Sequence, residues 1–321
     1  GRSPLRITLG GGGTDLPSYY KNFGGFLISA AIDQYVYTTI NHTQSNELLI
    51  RYSQIEKVKS VDDIKHPIIR QALQITGITE PNIEITSMAD QQSGTGLGSS
   101  SSFTTALLKT LYKFKKQFIS TENIGELSSH IEIDLLKEPI GKQDQYIAAC
   151  GGLTVFDFNK NDTVNIRSLN VSDDIICQLE NNLVMFSTGF YRTASKVLKE
   201  QDDKSKEFNS EMIDNLHYVK DLGYQSLNAL ETGNLYKFGL IMHDHWQHKK
   251  KRSNFMSNPD IDQWYNIAKD NGAIGGKLIG AGGGGFLLFY TEKKPILKQA
   301  LNKVGLKEVP IKFDYEGTKI L

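Results

Sequence analysis

Cysteine, net charge and long apolar runs are scarce in this sequence of 321 residues. The two cysteines, Cys150 and Cys177, cannot form a disulfide framework, which predicts a reducing, cytoplasmic environment. The N-terminus lacks the basic and then apolar pattern of a signal peptide, and no stretch approaches the roughly 18 apolar residues of a membrane span. The 36 basic residues balance 36 acidic ones, whereas nucleic-acid binders usually carry a basic excess. We therefore expect no membrane and no nucleic-acid partner.

The length and the composition indicate an ordered protein of about two domains. Single hydrophobic cores stop growing near roughly 250–300 residues. With 39% hydrophobic and 22% charged residues, the chain has enough apolar material for sizeable cores. The segment 159–174 is polar and marks the expected boundary region. We therefore divide the chain near residue 180, into residues 1–180 and 181–321, and expect an α/β or α+β protein.

Hydrophobic periodicity predicts strands and helices that alternate along the chain. Residues 26–41 are rich in β-branched and aromatic side chains, and residues 48–52 are expected to form a hairpin with them. The other predicted strands are 6–9, 82–87, 153–158, 183–187 and 286–290. The other predicted helices are 67–76, 103–114, 121–137, two within 204–248, and 260–271.

The helix predicted over residues 121–137 carries one residue of special interest. This helix ends before Pro139, because the residue before a proline is pushed out of the helical region. Glu132 lies off the expected apolar face, as a solvated charge on an exposed surface does. The apolar face itself would be formed by Ile124, Leu127, Ile131 and Leu135.

Glycine is concentrated in three runs, at residues 10–13, 94–98 and 280–285. Glycine is favoured where the backbone needs a positive φ or must approach a ligand closely. Any single run is equally compatible with a turn between strands. Three separate runs favour a shared ligand site.

The second run belongs to a serine- and glycine-rich loop, residues 93–102, between a predicted strand and a long helix. Glycine amides can turn inward there, and the first helical turn adds unpaired N–H groups at the positive end of the helix dipole. The loop is not a Walker A motif, since no Lys-Ser/Thr pair follows at the required spacing. The third run contains Gly-x-Gly-x-x-Gly, but it precedes a strand, whereas a dinucleotide fingerprint follows one. The sequence therefore predicts an anion site in the loop.

The three runs resemble, in order, the three motifs of the GHMP kinases, the family of galactokinase, homoserine kinase, mevalonate kinase and phosphomevalonate kinase. Residues 2–15 are similar to its N-terminal motif, residues 93–102 to its phosphate-binding loop, and residues 280–285 to its C-terminal glycine motif. The resemblance implies an α+β protein of two domains with the active site between them. An N-terminal α/β-type ATP-binding domain with a left-handed crossover would precede a ferredoxin-like C-terminal domain.

The resemblance also implies that ATP is the co-substrate and Mg²⁺ the cofactor. The implied ATP site consists of Ser93, Gly94, Thr95, Gly96, Leu97, Gly98, Ser99, Ser100 and Ser101. In the family, a glutamate about twelve residues before the catalytic aspartate helps to hold magnesium, together with a serine of the loop. Glu132 has this separation, with Asp134 as the local alternative. The serine would be Ser99 or Ser100, and Ser100 is taken as the metal ligand.

Two charged residues are candidates for the chemistry itself. A hydroxyl that attacks a γ-phosphate needs positioning, charge neutralisation and a proton acceptor. Asp144 lies in a segment that resembles the one carrying the catalytic aspartate of galactokinase, although an aspartate at this point can also cap a helix. Arg6 matches the N-terminal arginine that lies near this aspartate in galactokinase, and is otherwise a surface arginine of a strand.

Residues 11–20 resemble, within the family, the bacterial D-glycero-D-manno-heptose phosphate kinases. This implies phosphorylation of the anomeric hydroxyl of a heptose 7-phosphate, giving a 1,7-bisphosphate for nucleotide-activated heptose synthesis. Galactokinase has Glu-His where this chain has two glycines, which argues against galactose. A phosphorylated sugar needs a second anion site. The residues expected to bind the substrate are Gly12, Gly13, Thr14, Asp15, Arg192, Lys249, Gly282 and Gly283.

Other interpretations stay open at this point. The substrate can be an unphosphorylated sugar such as fucose, or the chain can be a catalytically silent protein that binds sugar or nucleotide. Loss of Asp144, of Glu132 or of the loop would favour a silent protein, and none is lost. Zinc at His243, His245 and His248 is not expected, since these positions do not converge on one side of a helix. The oligomeric state is left open.

Overall fold

The computed structural model describes residues 1–190 and 195–321, with the backbone alone for residues 195 and 196. The first half of the chain contains, in order, β1 (Arg2–Gly10), α1 (Pro17–Phe23), β2 (Gly25–His42), β3 (Leu48–Arg51), β4 (Ile55–Val58), α2 (Pro67–Thr76), β5 (Ile83–Ala89), α3 (Ser99–Phe114), α4 (Thr121–Ser129), a π-helical turn (His130–Leu135), α5 (Gln143–Cys150), β6 (Leu153–Phe158), β7 (Val164–Ser168) and α6 (Asp173–Asn182). The second half contains β8 (Leu183–Ser187), α7 (Ser195–Lys206), α8 (Ser210–Glu231), α9 (Leu235–Lys250), α10 (Pro259–Asp270), β9 (Ala273–Leu278), β10 (Phe286–Thr291), α11 (Lys294–Lys303) and β11 (Lys307–Val309).

The first seven strands form one mixed sheet in the order β4-β3-β5-β2-β6-β7, with β1 also paired to β2. The long β2 pairs with β5 along its C-terminal half and with β6 along its N-terminal half. The hairpin predicted between β2 and β3 is wrong. Because β5 occupies the edge of β2, β3 instead forms a hairpin with β4 and lies parallel to β5.

The last four strands form a second, antiparallel sheet in the order β11-β8-β10-β9. In the sequence order of its own strands this is 4-1-3-2, so the ferredoxin-like expectation is confirmed. Helices α7 to α10 are inserted between the first and second of these strands. Together the two sheets form the expected two-part α+β architecture.

One hydrophobic cluster connects the two sheets. It includes Leu5 and Ile28 of the first sheet, Leu222 of α8, and Phe238 of α9. Helix α8 packs on β1 and β2, whereas α9 packs on β9. The C-terminal residues return to the first sheet, where Phe313 bridges to Ile32. No helix in the described part of the chain has the length and apolarity that crossing a membrane requires.

The helix predicted over residues 121–137 is interrupted. Helix α4 ends at Ser129, and a π-helical turn follows it. Because a π turn contains more residues than an α turn, it rotates the following side chains relative to a 3.6-residue pattern. In this second part Ile131 is buried as predicted, but Leu135 is 41% exposed and Glu132, which was expected in solvent, is 1% exposed.

Candidate active site

The side chains of Arg6 and Asp144 form a two-point ion pair. Arg6 lies on β1, and its Nε and Nη2 atoms each donate to one carboxylate oxygen of Asp144 at 2.7 Å. Asp144 lies in the first turn of α5, and the side chain of Arg6 is largely buried. The third nitrogen, Nη1, donates to the carbonyl oxygen of Gly96 at 2.5 Å. The predicted catalytic pair is therefore brought together, and Arg6 connects it to the serine-glycine loop.

The serine-glycine loop ends at the N-terminus of α3, as the sequence indicates. Gly98 precedes this helix with a φ of 77°, in the left-handed region that favours glycine. A Cβ atom at Gly98 would lie 3.1 Å from a carboxylate oxygen of Asp144. Helix α3 therefore starts beside the Arg6–Asp144 pair. Its first turn has free amides and contains the predicted ATP-site serines 99–101.

The third glycine run packs directly on this loop. A Cβ atom at Gly96 would lie 2.7 Å from the carbonyl oxygen of Ile279 and 3.1 Å from the Cα of Gly280. The missing side chain of Gly96, a residue of the predicted ATP site, therefore lets the two loops touch. Gly282 and Gly283 lie against Met256, and the amide of Gly283 donates to its carbonyl oxygen at 2.9 Å. Neither lines the cavity that Arg6 and Asp144 line, so the structure does not place these two predicted substrate ligands beside that pair.

Glu132 is a buried carboxylate that faces the start of α3. It accepts hydrogen bonds from the hydroxyls of Ser100, at 3.0 Å, and Ser101, at 3.3 Å. Burial raises its pKa to about 7, and the nearby charge of Asp144 adds to the shift. Its competitor Asp134 is exposed and pairs with His130 instead.

The donor set around Glu132 fits magnesium. A carboxylate and a serine hydroxyl are hard oxygen ligands, and Mg²⁺ usually takes one or two carboxylates and completes its shell with water and substrate phosphates. Glu132 has no cationic partner among the ion pairs of the described residues, so its buried charge is left uncompensated. Ser100 is the serine of the two candidates that contacts it. The described residues hold no cluster of three or more metal-binding side chains, so phosphates or water would supply the remaining ligands.

A cavity opens on the other side of the Arg6–Asp144 pair. Its wall includes Gly12, Gly13 and Asp15 of the N-terminal motif. Asp15 accepts from the amide of Gln143 at 3.1 Å, and burial raises its pKa, with the charge of Asp144 as a further cause. These three predicted substrate ligands therefore lie beside the catalytic pair.

Thr14 lies in the same motif but does not line the cavity. Its hydroxyl is buried within hydrogen-bond distance of the carbonyl oxygens of Gly11 and Phe26, and it accepts from the amide of Phe26. Thr14 therefore holds the glycine turn in place, and the structure does not bring it together with the other predicted ligands.

Four residues of the second half contribute basic side chains to the same cavity: His245 and Lys249 of α9, Arg252 just after it, and Lys277 of β9. All four are buried. Burial lowers the pKa of each, for Lys277 to about 7 and for Arg252 to about 10, and neighbouring cations add to the shift at His245, Lys249 and Lys277. Buried basic side chains that lie close together destabilise the charged forms of one another. Such a cluster indicates a site where an anion binds.

The sequence predicted only Lys249 of this group. Its Nζ donates to the carbonyl oxygens of Leu278, at 2.9 Å, and Gly280, so it holds the start of the third glycine run. Arg252 ends the basic run at residues 249–252, from which the sequence reading chose only Lys249 as a ligand. Lys277 is the one charged residue of the strand Ala273–Leu278, and a lone charge in such a strand is a sequence pattern that indicates a functional residue. Arg192, the other predicted phosphate ligand, lies outside the described residues.

The three histidines of α9 have separate partners. His243 contacts the hydroxyl of Tyr265 at 2.8 Å, and His248 contacts the main chain and carboxylate of Asp244. His245 alone faces the cavity. The three histidine side chains therefore point to three separate locations and do not converge on one site.

The chain matches two family models. The model described as GHMP kinases N terminal domain matches residues 62–152, and that described as GHMP kinases C terminal matches residues 226–308. These ranges make up more than half of the 321 residues. The chain belongs to the GHMP kinase family.

Relatives of known name agree with this assignment. The D-glycero-alpha-D-manno-heptose 7-phosphate kinase of Campylobacter jejuni is 28% identical over 99% of this chain and 97% of its own. A bifunctional fucokinase/GDP-fucose pyrophosphorylase of Arabidopsis thaliana is 26% identical over 94% of this chain and 31% of its own. The crystal structure of a D-glycero-D-manno-heptose 1-phosphate kinase from Bacteroides thetaiotaomicron has 26% identity and a TM-score of 0.81, covering 100% of this chain and 98% of its own. The protein is thus a kinase, a phosphotransferase of the sugar kinase type.

Proposed function

We propose that this enzyme transfers the γ-phosphoryl group of ATP to the anomeric hydroxyl of a sugar phosphate, D-glycero-D-manno-heptose 7-phosphate. The observation that carries the proposal is the charge of the cavity beside Asp144. Among the residues that the structure describes, Arg6, Lys249, Arg252 and Lys277 line it against two carboxylates, Asp15 and Asp144. A neutral sugar offers nothing to compensate this excess, whereas a sugar phosphate does. The heptose phosphate kinases among the relatives support the same substrate class.

The roles of the catalytic pair follow from its geometry. Asp144 would accept the proton of the attacking hydroxyl while the sugar oxygen bonds to the γ-phosphorus and the bond to the leaving ADP oxygen breaks. Arg6 holds both carboxylate oxygens and so sets their direction. Since the transition state is loose, positioning and charge stabilisation contribute more than bond making by the protein.

ATP would bind with its phosphates at the serine-glycine loop and the N-terminus of α3. Ser100 and Glu132 would hold Mg²⁺, which when bound neutralises charge on the β- and γ-phosphates. The ionised form of Glu132 is the one that binds a cation, and its burial close to Ser100 places it where the magnesium would lie. The ATP-site residues 93–101 and the division of the chain near residue 180 are part of this proposal.

The experiment is a substrate panel with MgATP: heptose 7-phosphate, heptose 1-phosphate, heptose and fucose, with the product position read by phosphorus NMR. We expect heptose 7-phosphate to give the highest kcat/KM and a new anomeric phosphate. Equal kcat/KM for heptose and heptose 7-phosphate would contradict the proposal and favour a free-sugar kinase. No transfer to any of the four would contradict the proposed substrate class.

A further inference from the structure

Two glycines of the N-terminal motif make room for an arginine from the other half of the chain. The Nη1 atom of Arg252 donates to the carbonyl oxygen of Gly12 at 3.1 Å. A Cβ atom at Gly13 would collide with this same nitrogen, and the φ of Gly13 is 101°, where residues with a side chain are strained. The glycine pair therefore admits a guanidinium to a place where a larger residue would exclude it.

This guanidinium is anchored on one side and free on the other. Its Nε donates to the side-chain oxygen of Asn215 at 2.9 Å, and Nη1 is bound to Gly12. The remaining nitrogen, Nη2, is buried and has no hydrogen-bond partner among the described residues, although Arg252 is only 3% exposed. A buried donor without an acceptor costs free energy, and a ligand that supplies the acceptor recovers it.

His245 offers a second free donor in the same cavity. Its Nδ1 lies 3.4 Å from the ammonium of Lys277, which can only donate while it is charged. Nδ1 is therefore the acceptor, and the ring proton is on Nε2. This Nε2 is also buried without a partner among the described residues. Burial and the cations around it lower the pKa of His245, so the ring is neutral.

We propose that Arg252 Nη2 and His245 Nε2, with the charge of Lys277, bind the phosphoryl group that the sugar already carries, and that Gly13 is required for this site. The inference rests on the proposed function and names the residues that select a phosphorylated substrate. Lys249 has a different part, because two of its hydrogens are donated to main-chain carbonyls. Asp15 is the acidic side chain that lines this side of the cavity, and it suits sugar hydroxyls rather than phosphate.

The test compares the preference for sugar phosphate over free sugar, expressed as the ratio of kcat/KM for heptose 7-phosphate to that for heptose at saturating MgATP. Arg252→Gln removes the charge, and His245→Asn keeps an acceptor toward Lys277 but removes the Nε2 donor. Each change should lower the ratio by about 10- to 150-fold, because each removes a charge-assisted hydrogen bond to phosphate. Lys251→Ala, an exposed cation of the same run, is the matched control and should leave the ratio within about threefold.

A second measurement uses the unmodified enzyme, and it tests the proposed phosphate site even if the Arg252→Gln variant does not fold. Inorganic phosphate should inhibit the unmodified enzyme competitively against heptose 7-phosphate and not against ATP. Competition with ATP alone would overturn the inference, since the phosphate would then occupy the nucleotide site. A wild-type enzyme without preference for the sugar phosphate contradicts the proposed function itself. A preference that both variants retain contradicts only the site assigned here.

Discussion

Asp144 is held so that little freedom is left to its carboxylate. Arg6 binds both oxygens at 2.7 Å, and Arg6 is itself fixed by the main chain of the serine-glycine loop. An aspartate that only capped a helix would need no such clamp. The sequence resemblance predicted both residues, and the structure adds the loop carbonyl that holds the arginine.

Asp144→Asn should lower kcat by about 10² to 10⁴-fold and change the KM for the sugar phosphate little. The amide keeps the shape of the side chain, but it has no negative charge and cannot accept the hydroxyl proton. Steady-state kinetics with chemistry established as rate-limiting provides the measurement. Asp134→Asn, an exposed carboxylate of the preceding turn, is the control and should leave kcat nearly unchanged. A kcat for Asp144→Asn within threefold of wild type would remove Asp144 from the mechanism.

The raised pKa of Glu132 predicts how the free energy of unfolding depends on pH. Its pKa is raised by burial from the usual 4.5 to about 7, so the folded protein binds this proton more tightly than the unfolded chain does. The stabilising contribution is therefore complete below about pH 4.5 and is lost as the pH rises through about 7. Glu132→Gln imitates the protonated form. Without nucleotide and metal it should be more stable than wild type at pH 8, by up to roughly 3 kcal/mol, and similar near pH 5.

Thermal unfolding of both proteins at several pH values measures this difference. The same variant should lose most activity at every pH, because the neutral amide binds Mg²⁺ poorly. Equal stability of the two proteins at pH 8 would mean that the carboxylate of Glu132 is not destabilised by its burial.

Among the elements, the π-helical turn at residues 130–135 decides where Glu132 points. A 3.6-residue pattern continued from α4 places this side chain off the apolar face, and hence in solvent. The extra residue in the π turn rotates it inward, toward Ser100. A π turn has no sequence pattern of its own, so the burial of Glu132 was not predictable from periodicity.

The contact between the second and third glycine runs gives a prediction at the same scale. Gly96→Ala places a Cβ atom 2.7 Å from the carbonyl oxygen of Ile279, with a φ of 82°. It should lower the melting temperature and weaken MgATP binding by about tenfold or more, at least about 1.4 kcal/mol, because the loops must separate. Calorimetric titration with MgATP gives the affinity.

Gly305→Ala is the matched control, since Gly305 also has a positive φ, of 89°, but no atom within 4 Å of an added Cβ. It carries the backbone strain without the collision, and its MgATP affinity should equal that of wild type. If Gly96→Ala also binds MgATP as wild type does, the packing of the two loops does not position the nucleotide site.

At the scale of the whole molecule, residues from both sheets line the candidate active site, and residues from both sheets form the largest hydrophobic cluster. Leu5 of β1 and Phe238 of α9 lie in the same cluster, and Phe313 returns from the C-terminus to β2. We therefore expect one cooperative unfolding transition rather than two. The division near residue 180 stays a prediction about chain organisation, and it does not require independent folding of the parts.

Both tryptophans, Trp246 and Trp264, lie in the second half of the chain. Unfolding in urea followed by tryptophan fluorescence should therefore coincide with unfolding followed by circular dichroism, which reports on the entire chain. Phe313→Ala, a change at a buried residue packed on the first sheet, should destabilise by about 3–5 kcal/mol and shift both signals together. Tyr315→Ala, at a 58% exposed neighbour, should have a much smaller effect. A fluorescence midpoint unmoved by Phe313→Ala would contradict cooperative unfolding.

The amino-acid sequence by itself determined the family and the order of the three glycine runs, and it predicted that Arg6 and Asp144 lie together, because each of these depends on short segments with recognisable local motifs. Helix α2, from Pro67 to Thr76, was predicted at both ends for the same reason. The pairing of β2 with β5, the burial of Glu132 and the meeting of Gly13 with Arg252 were decided only by the tertiary structure. They depend on contacts between residues far apart in the chain, up to 239 positions for Gly13 and Arg252, and a local pattern reports only on neighbours within a turn or a strand. The packing of α8 and α9 against the two sheets brings those distant residues together.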